Sequence, residues 1–416
     1  MPPLLEISKA YFSTLQHFPA NPFFWVVLGL VAWQFYRLAR LEQTFYGRQR
    51  QPLFYRVLLS LFFGLLGGWF GSLIVVGVGI TISFAWVRYV LAVSVALAII
   101  NMRFICFSYS GGLLALLHLL TGWPELDVAS LLGLVAVLHI VESVLMLISG
   151  HLMATPVAMR QPSGRIVGAY NLQMFWPLPL LALIFIPGSM GGVRGGIGMP
   201  MWWPLIRPVD APLGTDLTLW MVPLLAGLGY GDLAVTVPPR QKVRQSAWQL
   251  LAYSLLLLLL AWLGSRQPAL LWLGAIFAPL GHEALIQLNN RREQRGEPRF
   301  GHLGPGVQVM EVLRDGVAER AGLQAGDIIL RANGQPVETI AEIRAVLRSA
   351  LQIYLTVVRA GREHNILLNL PPTDQPGQLG ILLTPDATAS AFLEVRESQR
   401  LKQLWQRIFR RRDEDS

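Results

Sequence analysis

The sequence predicts a polytopic α-helical membrane bundle of about nine spans followed by a small soluble α+β domain. Three observations carry that prediction. Hydrophobic residues make up 53% of the 416 residues and charged ones only 14%, too apolar for a water-soluble chain of this length. The apolar residues gather into long runs before Leu288, whereas the residues beyond it follow the shorter periods of a soluble fold. The net charge of +9 sits in short loops between the apolar runs, as the positive-inside rule expects, with no basic and aromatic surface suited to nucleic acid.

At about 20 residues per span, the runs at 22–36, 57–80, 82–102, 104–120, 128–150, 172–186, 217–237, 247–263 and 268–288 are read as helices. The first is short and lacks a small-residue cleavage site, and Arg37 and Arg40 follow it, so it is expected to remain as an anchor. Around Thr81 the glycine-rich stretch also fits one long helix with a re-entrant piece. The multi-span domain thus covers 1–290. Loops bearing Arg37, Arg40, Arg48, Arg50, Arg56, Arg103, Arg160, Arg165, Arg240, Lys242, Arg244, Arg291, Arg292 and Arg295 alternate with loops holding only Lys9, Arg194, Arg207 and Arg266. The basic set is assigned to the cytoplasm, which places the N-terminus outside and everything after Leu288 inside. The loop 187–215, with Trp202 and Trp203, suits a membrane interface.

Within the apolar half, Gly281-His282-Glu283-Ala284-Leu285-Ile286 begins like the His-Glu-x-x-His box of an intramembrane zinc protease. Two histidines one helical turn apart are needed to face one metal, and Ile286 stands where the second would be. No aspartate on a later membrane helix supplies a third ligand. His139 and Glu142, three apart on one helix face, leave a noncanonical site with His282 and Glu283 conceivable, yet intramembrane polar residues more often bond one another. Cys106 is the single cysteine, which is read as excluding both an intrachain disulfide and a cysteine-zinc site, and the sequence shows no base beside it. Gly229-Tyr230-Gly231-Asp232 lacks the preceding residues of a potassium filter, so Asp232 is expected in a broken helix near the membrane surface. Serine-nucleophile elbows and phosphate-binding glycine loops are absent. The expectation is therefore no catalytic residue, no metal and no cofactor, against the alternative of an intramembrane metalloprotease.

A charged linker at 291–298 leads to a module at 299–385. Residues 306–313 alternate as a strand, and Gly322 closes a one-turn helix. Gly326-Asp327 turns into a buried strand, Asn333-Gly334 makes a tight turn, and 353–359 pairs with 364–370 around Gly361. The run from Ala318 through Val337 resembles bacterial PDZ domains. Such domains capture a peptide by strand addition, with glycine-bearing loop amides holding its C-terminal carboxylate. Leu303-Gly304 is followed by Pro305, which has no amide hydrogen, so Leu379, Gly380, Ile381 and Leu382 are chosen for the loop and strand. Ile340, Ile343 and Leu347 are chosen for the facing helix. Residues 386–416 read as a basic amphipathic tail suited to anionic lipid or a partner.

Over nearly its whole length the chain resembles the MinJ-type cell-division topological determinants of Gram-positive bacteria. The resemblance rests on the order of elements, on Gly229-Tyr230-Gly231-Asp232-Leu233-Ala234, on Pro279-Leu280-Gly281-His282-Glu283 and on a single C-terminal PDZ-like domain. It implies a scaffold at the division septum and poles that bridges a DivIVA-like scaffold to a MinD-like ATPase with MinC, alongside other divisome proteins. Membrane lipids are further partners, nucleic acid is not, and self-association of the bundle stays open. An adaptor of another membrane complex, such as secretion, is the remaining alternative.

Overall fold

The computed structural model describes residues 3–46, 51–161, 163–185, 199, 202–207, 219–301, 304–313, 316–349, 351–369, 380–385 and 393–394. Its apolar half begins with helices α1 (Pro3–Leu15), α2 (Pro22–Tyr46), α3 (Leu53–Val78), α4 (Phe84–Ile100), α5 (Phe107–Thr121) and α6 (Val128–Ser149). Strands β1 (Thr155–Arg160), β2 (Ile166–Phe185) and β3 (Leu219–Ala234) follow, then helices α7 (Pro239–Gly264) and α8 (Ala269–Arg295). Among the described residues five helices, α2, α3, α6, α7 and α8, are long and apolar enough to cross a membrane, while α4 and α5 are shorter. Helix α1 was not foreseen. Arg88, within an expected span, lies exposed near the start of α4.

The expected count of spans needs one correction. Runs 172–186 and 217–237 are not helices but the two arms of an antiparallel hairpin, paired from Tyr170↔Ala234 to Phe185↔Leu219. At about 3.3 Å per residue the paired stretch reaches roughly 50 Å, longer than a ~30 Å hydrocarbon layer. Its first arm, β2, is sheathed, with Leu172, Met174, Trp176, Leu178, Leu180 and Ala182 at most 1% exposed, whereas β3 leaves one face open at Pro223, Gly227, Gly229 and Gly231. A strand buried on both faces carries no polar alternation, so its apolar run passes for a helix. Asp232 accordingly sits in a strand, not in a broken helix.

Backbone bookkeeping explains how a strand survives there. Beyond Asn171 nothing from β1 pairs with β2, and the freed edge faces α3. Pro177 and Pro179 have no N–H to leave unpaired on it. Ser60 donates its hydroxyl to the carbonyl of Phe175, Ser72 Oγ accepts from the amide of Leu181 at 2.8 Å, and the amide of Ile82 donates to Leu183 at 2.6 Å. Between Arg56 and Val75 the buried residues of α3 are all small: Ser60, Gly64, Gly67, Gly68, Gly71 and Ser72. A β-carbon on Gly64 or Gly68 would collide with the carbonyl of Pro177 or Pro179. Small residues at helical spacing thus let backbone meet backbone.

The soluble domain comprises β4 (Val307–Val312), α9 (Val317–Arg320), β5 (Ile328–Ala332), β6 (Gln335–Pro336), α10 (Ile340–Ser349), β7 (Gln352–Arg359), β8 (Arg362–Asn369) and β9 (Ile381–Leu383). Its sheet runs β8-β7-β5-β4-β9, with β6 against β5. Asn333 (φ 51°) with Gly334 (φ 79°), and Ala360 (φ 48°) with Gly361 (φ 78°), form the two tight turns. A last short strand, β10 (Leu393–Glu394), lies inside the expected tail and adds in parallel to β1, giving the order β10-β1-β2-β3. The rest of that tail lies outside the described residues. The expected linker at 291–298 begins as the last turns of α8.

Candidate functional site

The soluble domain offers a sheet edge. Strand β9 pairs with β4 through Val309↔Leu383 and Val312↔Ile381, and among the described residues no strand pairs with its other side. Gly380 precedes it with φ 69°, a conformation that favours glycine, and its carbonyl accepts from Leu313 N at 2.7 Å. Ile381 and Leu383 pack on the small domain's core with Ile340, while Ile343 is 2% exposed within that core. Leu382 turns to the opposite face and packs against the large core of the apolar half. Leu347 falls on α10 with its side chain outside the described residues, and Leu379 lies outside them altogether.

Contacts beneath β4 seat the domain on the base of the hairpin. The amide of Gly168 donates to Phe300 O at 2.7 Å, Arg165 donates to Gly301 O at 3.0 Å, and Tyr170 Oη donates to Met310 O at 3.2 Å. Phe300 and Met310 belong to the same core cluster as the hairpin.

The intramembrane polar residues separate into two groups. Asp232 joins a charge network: Lys242 Nζ, on a side chain 2% exposed, lies 3.4 Å from Asp232 and 3.3 Å from Glu293. Ser246 donates to Asp232 at 2.9 Å, and Glu293 Oε2 accepts from the amides of Val235 and Thr236, each at 2.9 Å. This ties β3, α7 and α8 together. Lys242 was read only as a basic loop residue and Glu293 only as part of the charged linker, because their partners are distant along the sequence, but the structure buries both.

The second group lies where α5, α6 and α8 converge. Cys106 Sγ is 3.1 Å from His139 Nε2 and 3.7 Å from His282 Nε2. The sequence showed no base beside Cys106; the fold supplies two imidazoles. Glu283 is fully engaged: Oε1 accepts from Arg103 and, at 2.7 Å, from Gln287, and Oε2 accepts from Tyr109 at 2.6 Å. Glu142 stands one turn beyond His139 on α6. The polar residues do bond one another, but Glu283 turns to Arg103 and Tyr109 rather than to the histidines.

Fold and site define a class: an apolar region with several helices of spanning length, joined to a peptide-recognition domain. The PDZ domain family model matches residues 308–359. The whole-length likeness is to the cell division topological determinant MinJ of Bacillus subtilis, 24% identical over 395 residues that cover 88% of this chain and 93% of that protein. The chain is thus similar to MinJ across both the apolar half and the PDZ domain. A probable periplasmic serine protease do/HhoA-like of Haemophilus influenzae is 43% identical over 72 residues, 17% of this chain and 16% of that protein, and such protease matches are confined to the PDZ region. A solved PDZ domain of an SdrC-like protein from Listeria monocytogenes matches at 24% identity over 20% of this chain and 90% of that one, with TM-score 0.18.

Proposed function

We propose that the protein is a membrane-anchored adaptor of cell division, not an enzyme. The observation that carries this is the likeness to MinJ across both the apolar half and the PDZ domain. Two features of the bundle favour an adaptor over a hydrolase. Ile286 replaces a zinc-box histidine, and Glu283, the would-be general base, has both carboxylate oxygens committed to protein donors.

In this proposal the PDZ domain faces the cytoplasm. The hairpin leaves and re-enters the same side of the bundle, so replacing two helical spans by two strands preserves the alternation of basic and neutral loops. A peptide from a division protein then adds along β9 beside α10, its carboxylate held near Gly380. The partners proposed are a DivIVA-like scaffold and the MinD-like ATPase with MinC, at the septum and poles. Anchoring in the membrane raises local concentration, so weak peptide contacts suffice.

The test is a crosslinking pull-down from native membranes with wild type and Gly380→Trp, scored beside septum position. The proposal expects loss of one specific partner and misplaced septa, with membrane insertion intact. An unchanged partner set with normal septa rejects the groove. Septa unaffected by deletion of the whole gene reject the division role.

A further inference from the structure

We infer that Cys106, His139 and His282 form a metal site for a borderline-soft divalent cation, Zn2+ by its donor set, clamping α5, α6 and α8 inside the bundle. The three ligand atoms lie within 4.8 Å of one another. In a tetrahedral zinc shell, bond lengths of about 2.3 Å to sulfur and 2.0–2.1 Å to nitrogen put sulfur and nitrogen about 3.6 Å apart. The observed separations of 3.1 and 3.7 Å bracket that value. Little movement is needed to seat an ion.

The surroundings are those of a ligand shell. His139 Nδ1 lies 2.7 Å from the carbonyl of Val135, four residues back. A carbonyl only accepts, so Nδ1 carries the proton and Nε2 presents its lone pair toward Cys106. Cys106 caps the start of α5, its sulfur accepting from the amide of Ser108 at 3.5 Å. His282 Nδ1 is buried and has no hydrogen-bond partner among the described residues, so no competing hydrogen bond there opposes its Nε2 facing an ion.

The donor set also supplies negative charge. Binding takes Cys106 as thiolate, its proton passing to solvent, and two neutral imidazoles. The thiolate offsets one of the ion's two positive charges, which a low-dielectric interior favours. The sulfur with two imidazoles selects zinc-like ions over magnesium or calcium, which prefer oxygen. Glu283 is occupied by Arg103 and Tyr109, so the ion's part is to hold three helices, with α8 leading on to the PDZ domain.

The experiment uses full-length protein purified in detergent, with an affinity tag free of cysteine and histidine. Metal content by mass spectrometry is expected at about one zinc per chain, falling at least tenfold in Cys106→Ala and His282→Ala. Cobalt(II) titrated into chelator-treated wild type is expected to give a thiolate-to-metal charge-transfer band. Cys106 is the only cysteine, so that band reports this site even if the alanine variants fail to fold. Cys106→Asp, which keeps an anionic ligand, is expected to bind metal without the band. Absence of the band in wild type, or equal zinc content in wild type and folded variants, overturns the inference.

Discussion

The carbonyl oxygen of Pro179 occupies the space that a β-carbon on Gly68 would need. Strand and helix therefore meet backbone to backbone, and the contact tolerates no side chain on the helix. Gly68→Val is expected to destabilise the bundle by about 1–3 kcal/mol or more, the usual cost of overpacking a filled core. Gly77, on the same helix, has nothing within 4 Å of its notional β-carbon, so Gly77→Ala is expected to be neutral or to stabilise by up to about 1 kcal/mol through helix propensity. Thermal inactivation in detergent compares the two. Equal effects of both variants reject the close approach.

The prolines on β2 make a separate prediction. Replacing Pro179 by alanine gives the edge facing α3 an amide hydrogen with no acceptor in line, whereas Ser60 and Ser72 already serve Phe175 and Leu181. A buried unsatisfied donor costs about 1–3 kcal/mol, so Pro179→Ala is expected to lower thermal stability. Pro223 on β3 is exposed, and Pro223→Ala should be close to silent in the same assay.

These residues also mark what the sequence made legible. Helices α3, α6, α7 and α8 were readable because one-dimensional hydropathy suffices when a helix satisfies its own backbone bonds. The hairpin has the same hydropathy but takes its bonds from a second segment, so composition alone is blind to it. Two signals could have exposed it: Pro177 and Pro179, two apart where a helix interior tolerates neither, and Gly227, Gly229 and Gly231 at the period of a strand. The PDZ domain was readable from turn chemistry, since Gly322, Asn333-Gly334 and Gly361 have the positive φ their turns demand. The convergence of Cys106, His139 and His282 was not, because it is made by the packing of three helices far apart in sequence.

Lys242 supplies a prediction about charge. Removing the buried ammonium while leaving Asp232 and Glu293 strands two carboxylates near one another. Lys242→Met is expected to cost about 3–5 kcal/mol, the range for breaking a buried ion pair. Adding Asp232→Asn should recover part of the loss, because one of the stranded charges is gone. A double-mutant cycle on thermal stability measures the coupling. Strictly additive effects would show that Lys242 acts through its packed stem alone.

In the PDZ domain the side chain of Asp327 is 1% exposed and receives two hydrogen bonds of 2.7 Å from Arg359. Its Oδ2 also accepts from the amide of Gln324 at 2.8 Å, fixing the turn that feeds β5. Arg359 further donates to Gly322 O at 2.7 Å, so one guanidinium joins the end of β7 to the glycine that closes α9. Such planar, forked donation is specific to arginine. Arg359→Lys is therefore expected to lose about 1.5–3 kcal/mol, the worth of a charged hydrogen bond, although the formal charge is kept. Hydrogen exchange on the full-length protein should localise the loss to the amides of β5 and the turn at Gln324, leaving the hairpin protected. Uniform deprotection of the whole chain would instead place Arg359 in a global role that its contacts do not support.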